Sequence, residues 1–258
     1  MQLHLGQKPA EALQQPLTEQ QLIAICGRAF GSLYPITAIQ QLGGGTLNTT
    51  YRVTLRNHPA VIVRIAPSET HPDLFRHEHR LLRREYSVLP FLAPIADLLP
   101  ALYFADFTHQ ILARDILIQA AIPGELWRDV RPSLTPAAET ALWYQLGQIA
   151  QQIHRVEHHL FGPADLVPTF HCWSDMLLMD FQNILRDMAA WRLPSQLIQR
   201  VHEQLAKHRR IFDCIQTPHL LHGDLWLNNL LVRYSHSGAQ IVGVLDAGFA
   251  QWGDPAAD

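Results

Sequence analysis

The sequence contains little cysteine, no excess of charge of either sign and no long apolar run. Its three cysteines lie far apart and form no CxxC pair, which argues against a disulfide framework and against a thiolate zinc site. No run approaches the roughly 20 apolar residues that a membrane helix needs. The N-terminus also lacks the basic and then apolar pattern of a signal peptide. We therefore expect a cytoplasmic protein without a membrane partner.

The charge balance also limits the kinds of binding partner to expect. The formal net charge is -3 and both signs are spread along the chain, so nothing suggests a nucleic-acid partner. An anionic ligand would therefore have to be held by local groups. Hydrophobic residues make up 48% of the 258 residues, which is ample for a core in one large domain or in two lobes.

The first half of the chain has the pattern of a small sheet. Residues 1–16 are polar and aperiodic, which predicts a frayed arm. Thr18 and Gln21 form a capping-box pattern, so a helix is expected to start near residue 18. Three strand-like runs with tight turns then predict an antiparallel meander: ITAIQQL, TTYRVTLR and AVIVRIA. A helix is expected at about 73–89, followed by strands in ALYFADF and ILARDILIQAA.

The character of the chain changes at Pro123-Gly124, which predicts a linker. Apolar residues then recur every three or four positions and predict a helix at about 136–160, with two more at 173–190 and 195–213. The predicted architecture is α+β. A small antiparallel sheet lies in an N-terminal lobe of residues 1–120, and a larger, mainly helical C-terminal lobe covers 121–258.

Three oxygen-bearing side chains stand out after the last predicted helix. Asp224 and Asn229 lie five residues apart in HGDLWLNN, and Asp246 closes the apolar run IVGVL. If LLV and IVGVL pair as a hairpin through a turn at Ser235 to Gly238, the three side chains converge on one rim. Two carboxylates and an amide oxygen are hard ligands that suit Mg²⁺.

Such a rim is what phosphoryl transfer requires. Kinases combine a catalytic Asp with an Asn five positions later and a metal-binding Asp at a strand end. Asp224 is then expected to be the catalytic base, and Asn229 and Asp246 the metal ligands. His222 is expected to brace the loop through hydrogen bonds rather than to touch the substrate.

HGDLWLNN followed by VLDAGFAQWGDPAAD resembles the aminoglycoside phosphotransferase and choline kinase-like superfamily of small-molecule kinases. The resemblance extends from about residue 37 to the end of the sequence and implies the bilobal protein-kinase-like fold. It also implies further helices after the position of Asp258, so either a truncated chain or a shortened variant of the family is expected.

The resemblance assigns a nucleotide loop to LGGGTLNTTYRV, which contains Gly43, Gly44 and Gly45. Backbone N–H groups can approach phosphates there because glycine lacks a side chain. A glycine run taken alone more often marks a hairpin turn. Its order relative to the other motifs favours the nucleotide loop.

Further nucleotide-binding residues follow from the same resemblance. Arg64 occupies the strand position of the phosphate-contacting lysine of protein kinases, and an arginine there can contact two oxygens at once. Its ion-pair partner is expected on the following helix, with Glu85 preferred and Glu78 as the alternative. A hinge that holds adenine by main-chain groups is expected around Gln119 and Ala121.

A competing motif is present in the third predicted helix. His154, Glu157 and His158 match H-x-x-E-H, a zinc peptidase signature. His154 lies at the flank of the apolar stripe and His158 points towards solvent, with no clear third ligand nearby. The motif is therefore interpreted as a helix end whose histidines interact favourably with the helix dipole.

The expected activity is transfer of a phosphate from ATP or GTP, with Mg²⁺, to a hydroxyl, or less readily an amine, of a small polar metabolite or antibiotic. The alternative is a nucleotide-binding pseudokinase or inactive fragment that acts as an interaction module. An aminoglycoside would need acidic walls, for which Asp175, Asp180 and Asp187 are candidates, although spaced carboxylates usually form a solvated face.

Overall fold

The computed structural model describes residues 2–4, 12–31, 34–43, 45–165, 168–235 and 238–258. The chain forms two compact units: Met1–Leu74 with Pro100–Pro123, and Phe75–Leu99 with Gly124–Asp258. The last boundary between the units, at Pro123, falls three residues after the predicted lobe boundary at 120. The segment 75–99, expected in the N-terminal lobe, is grouped with the C-terminal unit.

Among its described residues, the N-terminal unit contains one six-stranded sheet and one helix. The sheet has the order β1-β2-β3-β4-β6-β5, and β2, β3 and β4 form the predicted antiparallel meander. The elements are β1 (Gln2–His4), α1 (Glu19–Phe30), β2 (Ile36–Leu42), β3 (Thr49–Leu55), β4 (His58–Ile65), β5 (Leu102–Asp106) and β6 (Ile116–Ala120).

Local sequence accounts for these elements. In β3 the side chains of Tyr51, Val53 and Leu55 are buried, whereas Arg52 and Thr54 between them are exposed, as the two-residue period of a strand requires. The helix α1 begins after Thr18, and its capping box is formed as predicted. Buried apolar residues of α1 and the central strands form the core of the unit.

Two parts of the segment expected to be a frayed arm have partners. The strand β1 pairs in parallel with β2. Gln14 is buried, and its side chain donates hydrogen bonds to the carbonyls of Gly45 and Asn48. Residues 5–11 of the arm lie outside the described residues.

The C-terminal unit contains five α-helices and two small sheets among the described residues, with strand orders β11-β10-β7 and β8-β12-β9. Its helices are α2 (Leu81–Val88), α3 (Trp127–Val130), α4 (Pro136–His154), α5 (Trp173–Ala190) and α6 (Gln196–Phe212). Its strands are β7 (Glu125–Leu126), β8 (Gly162–Pro163), β9 (His219–Leu221), β10 (Leu230–Ser235), β11 (Gly238–Val244) and β12 (Gln251–Gly253).

Two helix predictions were too long. The helix expected at 73–89 is a 3-10 turn at Arg76–Glu78 followed by α2, and Arg80 between them has a left-handed backbone with φ 58°. The helix expected at 136–160 ends at His154. Beyond that point, Val156 accepts a hydrogen bond from the Leu220 N–H over 2.8 Å, so pairing with a distant strand replaces the helix.

The buried core of the C-terminal unit collects apolar residues from its helices and both sheets. Trp127 and Trp252 are among the largest fully buried side chains. Helix α2 packs on the 3-10 turn at Ala247–Phe249, which explains why residues 75–99 are grouped with this unit. Among the described residues, no helix is long and apolar enough to cross a bilayer.

Candidate active site

A hairpin brings the end of the polar loop next to the end of the following strand. Strand β10 pairs with β11 in an antiparallel register that places Leu230 opposite Val244, as predicted. The Leu245 N–H donates to the carbonyl of Asn229 over 2.8 Å. Asn229 therefore lies beside the chain segment that carries Asp246. Residues 236 and 237 of the predicted turn lie outside the described residues.

Asn229 also binds Asp224 directly. Its Nδ2 donates to the Asp224 carboxylate Oδ2 over 2.7 Å and to the Asp224 carbonyl over 3.0 Å. The loop between them is closed by the Asn229 N–H, which donates to the carbonyl of Trp226 over 2.9 Å. The five-residue spacing thus places the predicted base and the predicted metal ligand in contact.

The electrostatics of this loop distinguish Asp224 from an ordinary surface aspartate. Burial raises the pKa of Asp224, and the negative charge of Asp246 raises it further. Hydrogen bonds from the Asn229 amide and the Trp226 indole oppose this and stabilise the carboxylate. Because two carboxylates repel each other here, a cation between them would relieve the repulsion.

The donor set fits a magnesium ion. Since Nδ2 of Asn229 faces Asp224, its Oδ1 is the atom left for a metal, and Asp246 supplies a carboxylate. Asp246 has a left-handed backbone with φ 64°, a conformation that is uncommon for non-glycine residues but that aspartate tolerates better than most. The described residues contain no group of three or more His, Cys, Asp or Glu side chains arranged to bind a metal, so the amide oxygen would be an essential part of the donor set.

The loop is braced through its main chain by Asp258. The Asp258 carboxylate accepts the N–H groups of His222 and Gly223 over 2.9 and 2.8 Å. It also lies 3.1 Å from Nε2 of His154. Burial acts to raise the pKa of Asp258, but these hydrogen bonds outweigh it and the net pKa is lowered. The sequence offered no local signal for this role because Asp258 lies 35 residues or more from the groups that it binds.

His222 braces the loop through its main chain rather than through its ring. The ring of His222 is fully buried. Neither ring nitrogen has a hydrogen-bond partner among the described residues. The main chain of Leu245 lies near the ring and favours its protonated form. Burial is the larger effect and lowers the pKa of His222, so the ring is neutral near pH 7. It is the main-chain N–H of His222, bound to Asp258, that holds the loop.

Gly223 can only be a glycine. Its φ is 79°, and a Cβ added there would lie 2.2 Å from the carbonyl oxygen of Phe249. The loop thus packs directly on the segment that follows Asp246, which explains the glycine of HGD by close approach of two backbones.

The zinc-peptidase interpretation of H-x-x-E-H is contradicted by the structure. Helix α4 ends at His154, so the two histidines do not share a helical face. The main chain of Glu157 forms an isolated antiparallel β-bridge with His219. The ring of His158 stacks on Trp252, with ring centroids 4.9 Å apart.

In the N-terminal unit, the glycine run separates β2 from β3. Gly43 and Gly45 are exposed and Gly44 lies outside the described residues. Arg64 is buried on β4, where it is paired in register with Thr50 and Leu117. A buried arginine requires anionic or polar partners.

The predicted hinge lies at the end of β6. Gln119 is buried, and Ala121 directly follows the strand. The Ala121 N–H donates to the carbonyl of Ala60 over 3.2 Å, and the Ala120 N–H donates to that of Ala101 over 2.8 Å. An adenine ring would therefore have to bind other main-chain groups of this segment.

Glu85 is buried on α2 in the C-terminal unit. Glu78 is not on this helix, and its carboxylate accepts the Phe75 N–H over 2.9 Å, so the alternative partner for Arg64 has a local structural role. The pairing of Arg64 with Glu85 stays a prediction.

The three acidic residues of α5 do not form one free face. Asp175 pairs with Arg209 over 2.7 Å, and Asp187 pairs with Arg76 over 2.8 Å. Desolvation raises the pKa of Asp180 to about 6. Two of the three carboxylates are thus already neutralised by arginines.

Comparison with known proteins assigns the chain. A model of the phosphotransferase enzyme family matches residues 38–258, which is most of the chain. The chain belongs to this family. The resemblance inferred from HGDLWLNN and VLDAGF is thereby confirmed. No curated protein matches this chain.

Several solved structures share the fold of this chain. Aminoglycoside phosphotransferase APH(4)-Ia is 17% identical with a TM-score of 0.64, over 92% of this chain and 74% of that one. The GDP complex of aminoglycoside 2'-phosphotransferase-IIIa is 17% identical with a TM-score of 0.64, over 93% and 75%. The streptomycin-ATP complex of APH(2")-IIa is 19% identical with a TM-score of 0.62, over 94% and 74%. The predicted α+β, protein-kinase-like fold is confirmed.

Proposed function

We propose that this phosphotransferase transfers the γ-phosphate of ATP or GTP to a hydroxyl of a small polar metabolite or an aminoglycoside-like antibiotic. The observation that carries the proposal is the contact of Asn229 with Asp224 beside the segment of Asp246. Similar structures contain ATP or GDP, which supports a nucleotide donor of either base.

In the proposed mechanism Asp224 is the catalytic base. Its raised pKa makes the ionised carboxylate a better proton acceptor than an ordinary aspartate. Asn229 holds the carboxylate by its side-chain amide, and Asp258 holds the loop by two main-chain N–H groups. Asp224 can therefore orient an acceptor hydroxyl and take its proton as the oxygen attacks phosphorus.

A magnesium ion, when bound, would neutralise charge on the donor phosphates. Asn229 and Asp246 would hold it. On the N-terminal unit, Arg64 is proposed to contact phosphate oxygens, and main-chain N–H groups of the Gly43–Gly45 run to approach them. Gln119 and Ala121 mark the segment proposed to hold the nucleotide base.

The ion pairs of Asp175 and Asp187 affect which acceptor substrates could bind near α5. A polycationic acceptor would have to compete with Arg209 and Arg76 for these carboxylates. We therefore propose that an acceptor panel should include neutral sugars and amino alcohols as well as aminoglycosides.

The test combines nucleotide binding with phosphate transfer. Thermal shifts with Mg-ATP and Mg-GTP measure donor binding, and transfer of a labelled γ-phosphate to the acceptor panel measures turnover. We expect that a donor nucleotide raises the melting temperature of the protein. We also expect transfer of the γ-phosphate to an acceptor, and loss of that transfer in Asp224→Asn. Stabilisation without transfer to any acceptor would favour a nucleotide-binding module, and no response to either nucleotide would overturn the proposal.

A further inference from the structure

The segment just before α1 is anchored to the strand that follows the glycine run. This segment precedes the part of the chain that the family model matches, which begins at residue 38. The carbonyl of Gln15 accepts hydrogen bonds from Thr49 Oγ1 over 3.2 Å and from the Arg114 guanidinium over 3.0 Å. The Leu17 N–H donates to the hydroxyl of Tyr51 over 2.6 Å. Its backbone is therefore held in place at two successive points.

This anchored backbone presents Gln14 to the glycine loop. Gln14 Nε2 donates to the carbonyl of Gly45 over 2.6 Å and to the carbonyl of Asn48 over 3.0 Å. The side chain is buried, with 7% of the residue exposed. A single amide thus uses both of its N–H groups to tie two carbonyls of one short loop together.

The two bonds determine how the loop presents its amides. In a planar trans peptide the C=O and the following N–H point in opposite directions, and no cis peptide occurs among the described residues. Since the carbonyl of Gly45 points at Gln14, the N–H of Thr46 points away from it. The orientation of a loop N–H is therefore set by a residue 32 positions earlier in the chain.

We propose that Gln14 is a positioning residue for nucleotide phosphates. It holds the peptide planes of the Gly45–Asn48 loop so that loop N–H groups are oriented before the nucleotide arrives, which lowers the ordering cost of binding. The inference rests on the proposed function, because the loop is taken to face phosphates. It assigns Gln14 no contact with the nucleotide itself.

Two substitutions remove the donor and keep the shape of the side chain. Gln14→Met has a similar length and no hydrogen-bond donor, whereas the ionised side chain of Gln14→Glu can only accept hydrogen bonds and would repel the two carbonyls. The matched control is Gln20→Glu, the same chemical change at an exposed position of α1. Affinities for Mg-ATP and for adenosine are measured by displacement of a fluorescent ATP analogue, and exchange of the loop amides by hydrogen-deuterium exchange.

A positioning role predicts a split between the two ligands. Gln14→Met should weaken Mg-ATP by roughly tenfold, the equivalent of about one hydrogen bond, and leave adenosine within about twofold because adenosine has no phosphate. Exchange at residues 45–48 should increase in the same variant. Gln20→Glu should match the unmodified chain in all three measurements.

The other outcomes are equally informative. Equal affinity of Gln14→Met and the unmodified chain for Mg-ATP would overturn the inference alone. Equal loss for Mg-ATP and adenosine would show general damage to the unit, and would overturn it as well. If the unmodified chain binds neither ligand, the proposed function falls and the role of Gln14 falls with it. Should Gln14→Glu fail to fold, Gln14→Met still decides the question.

Discussion

Asn229 donates to Asp224 through its side-chain amide, with 2.7 Å between Nδ2 and Oδ2. A carboxylate can only accept hydrogen bonds, so this contact identifies which end of the amide faces Asp224. The amide oxygen then points elsewhere and is available to a cation. One hydrogen bond thus links the proposed base to the proposed metal ligand.

Asp224→Asn should abolish turnover and retain nucleotide binding. Asparagine keeps the size of the side chain but cannot take a proton at neutral pH, so a loss of 10²–10⁴-fold in kcat is expected. Steady-state transfer assays and Mg-ATP thermal shifts would measure the two properties separately. Asp97→Asn, at an exposed position of the same unit, serves as the control. Unchanged kcat in Asp224→Asn would remove Asp224 from the mechanism.

Trp226→Phe should shift the acid limb of the pH profile to higher pH. The indole N–H stabilises the ionised form of Asp224, and phenylalanine removes that donor while it keeps an aromatic ring. The pKa of Asp224, already raised, should then rise further. Because the base must be ionised, kcat is lost as the pH falls through this pKa. Profiles of kcat against pH for both proteins would test this, and superimposable acid limbs would contradict it.

Gly223→Ala should destabilise the C-terminal unit by about 2–4 kcal/mol. The added Cβ would lie 2.2 Å from the Phe249 carbonyl at a φ of 79°, so both backbone strain and a steric clash oppose it. Gly147→Ala is the matched control, since an added Cβ in α4 meets nothing within 4 Å. That change should stabilise the helix by up to about 1 kcal/mol. Equal effects of the two changes in urea denaturation would rule out this account.

Asp258→Asn should lower stability near pH 7 by about 1–3 kcal/mol, because a charged acceptor for the main-chain N–H groups of His222 and Gly223 is lost. The folded pKa of Asp258 lies below its ordinary value of 3.8. Its contribution is therefore complete above that value and is lost as the pH falls through the lowered pKa. The difference in free energy of unfolding between the two proteins should accordingly shrink at strongly acid pH. A difference that stays constant down to strongly acid pH would contradict the assigned contacts.

Local sequence was sufficient for much of the fold. The predicted run ITAIQQL coincides with β2, and TTYRVTLR extends one residue beyond β3. The helices expected at 173–190 and 195–213 match α5 and α6 within a residue. These elements are determined by the period of apolar residues and by caps within a few positions, which the sequence displays directly.

The candidate site was predictable where its members are close in the chain or are joined by a hairpin. Asp224 and Asn229 are five residues apart, and β10 with β11 brings Asp246 to them. Hairpin pairing is encoded by the turn and the flanking apolar runs, so a short stretch of sequence specifies this geometry.

Only tertiary structure decided the rest. The end of α4 at His154, the support of the loop by Asp258 and the contact of Gln14 with Gly45 all join residues more than 30 positions apart. No local period or cap signals such contacts, because they arise when distant segments meet in the folded chain and satisfy each other's polar groups. Residue types and short-range patterns thus specify the elements and the candidate reactive groups, whereas packing specifies which main-chain groups hold them in place.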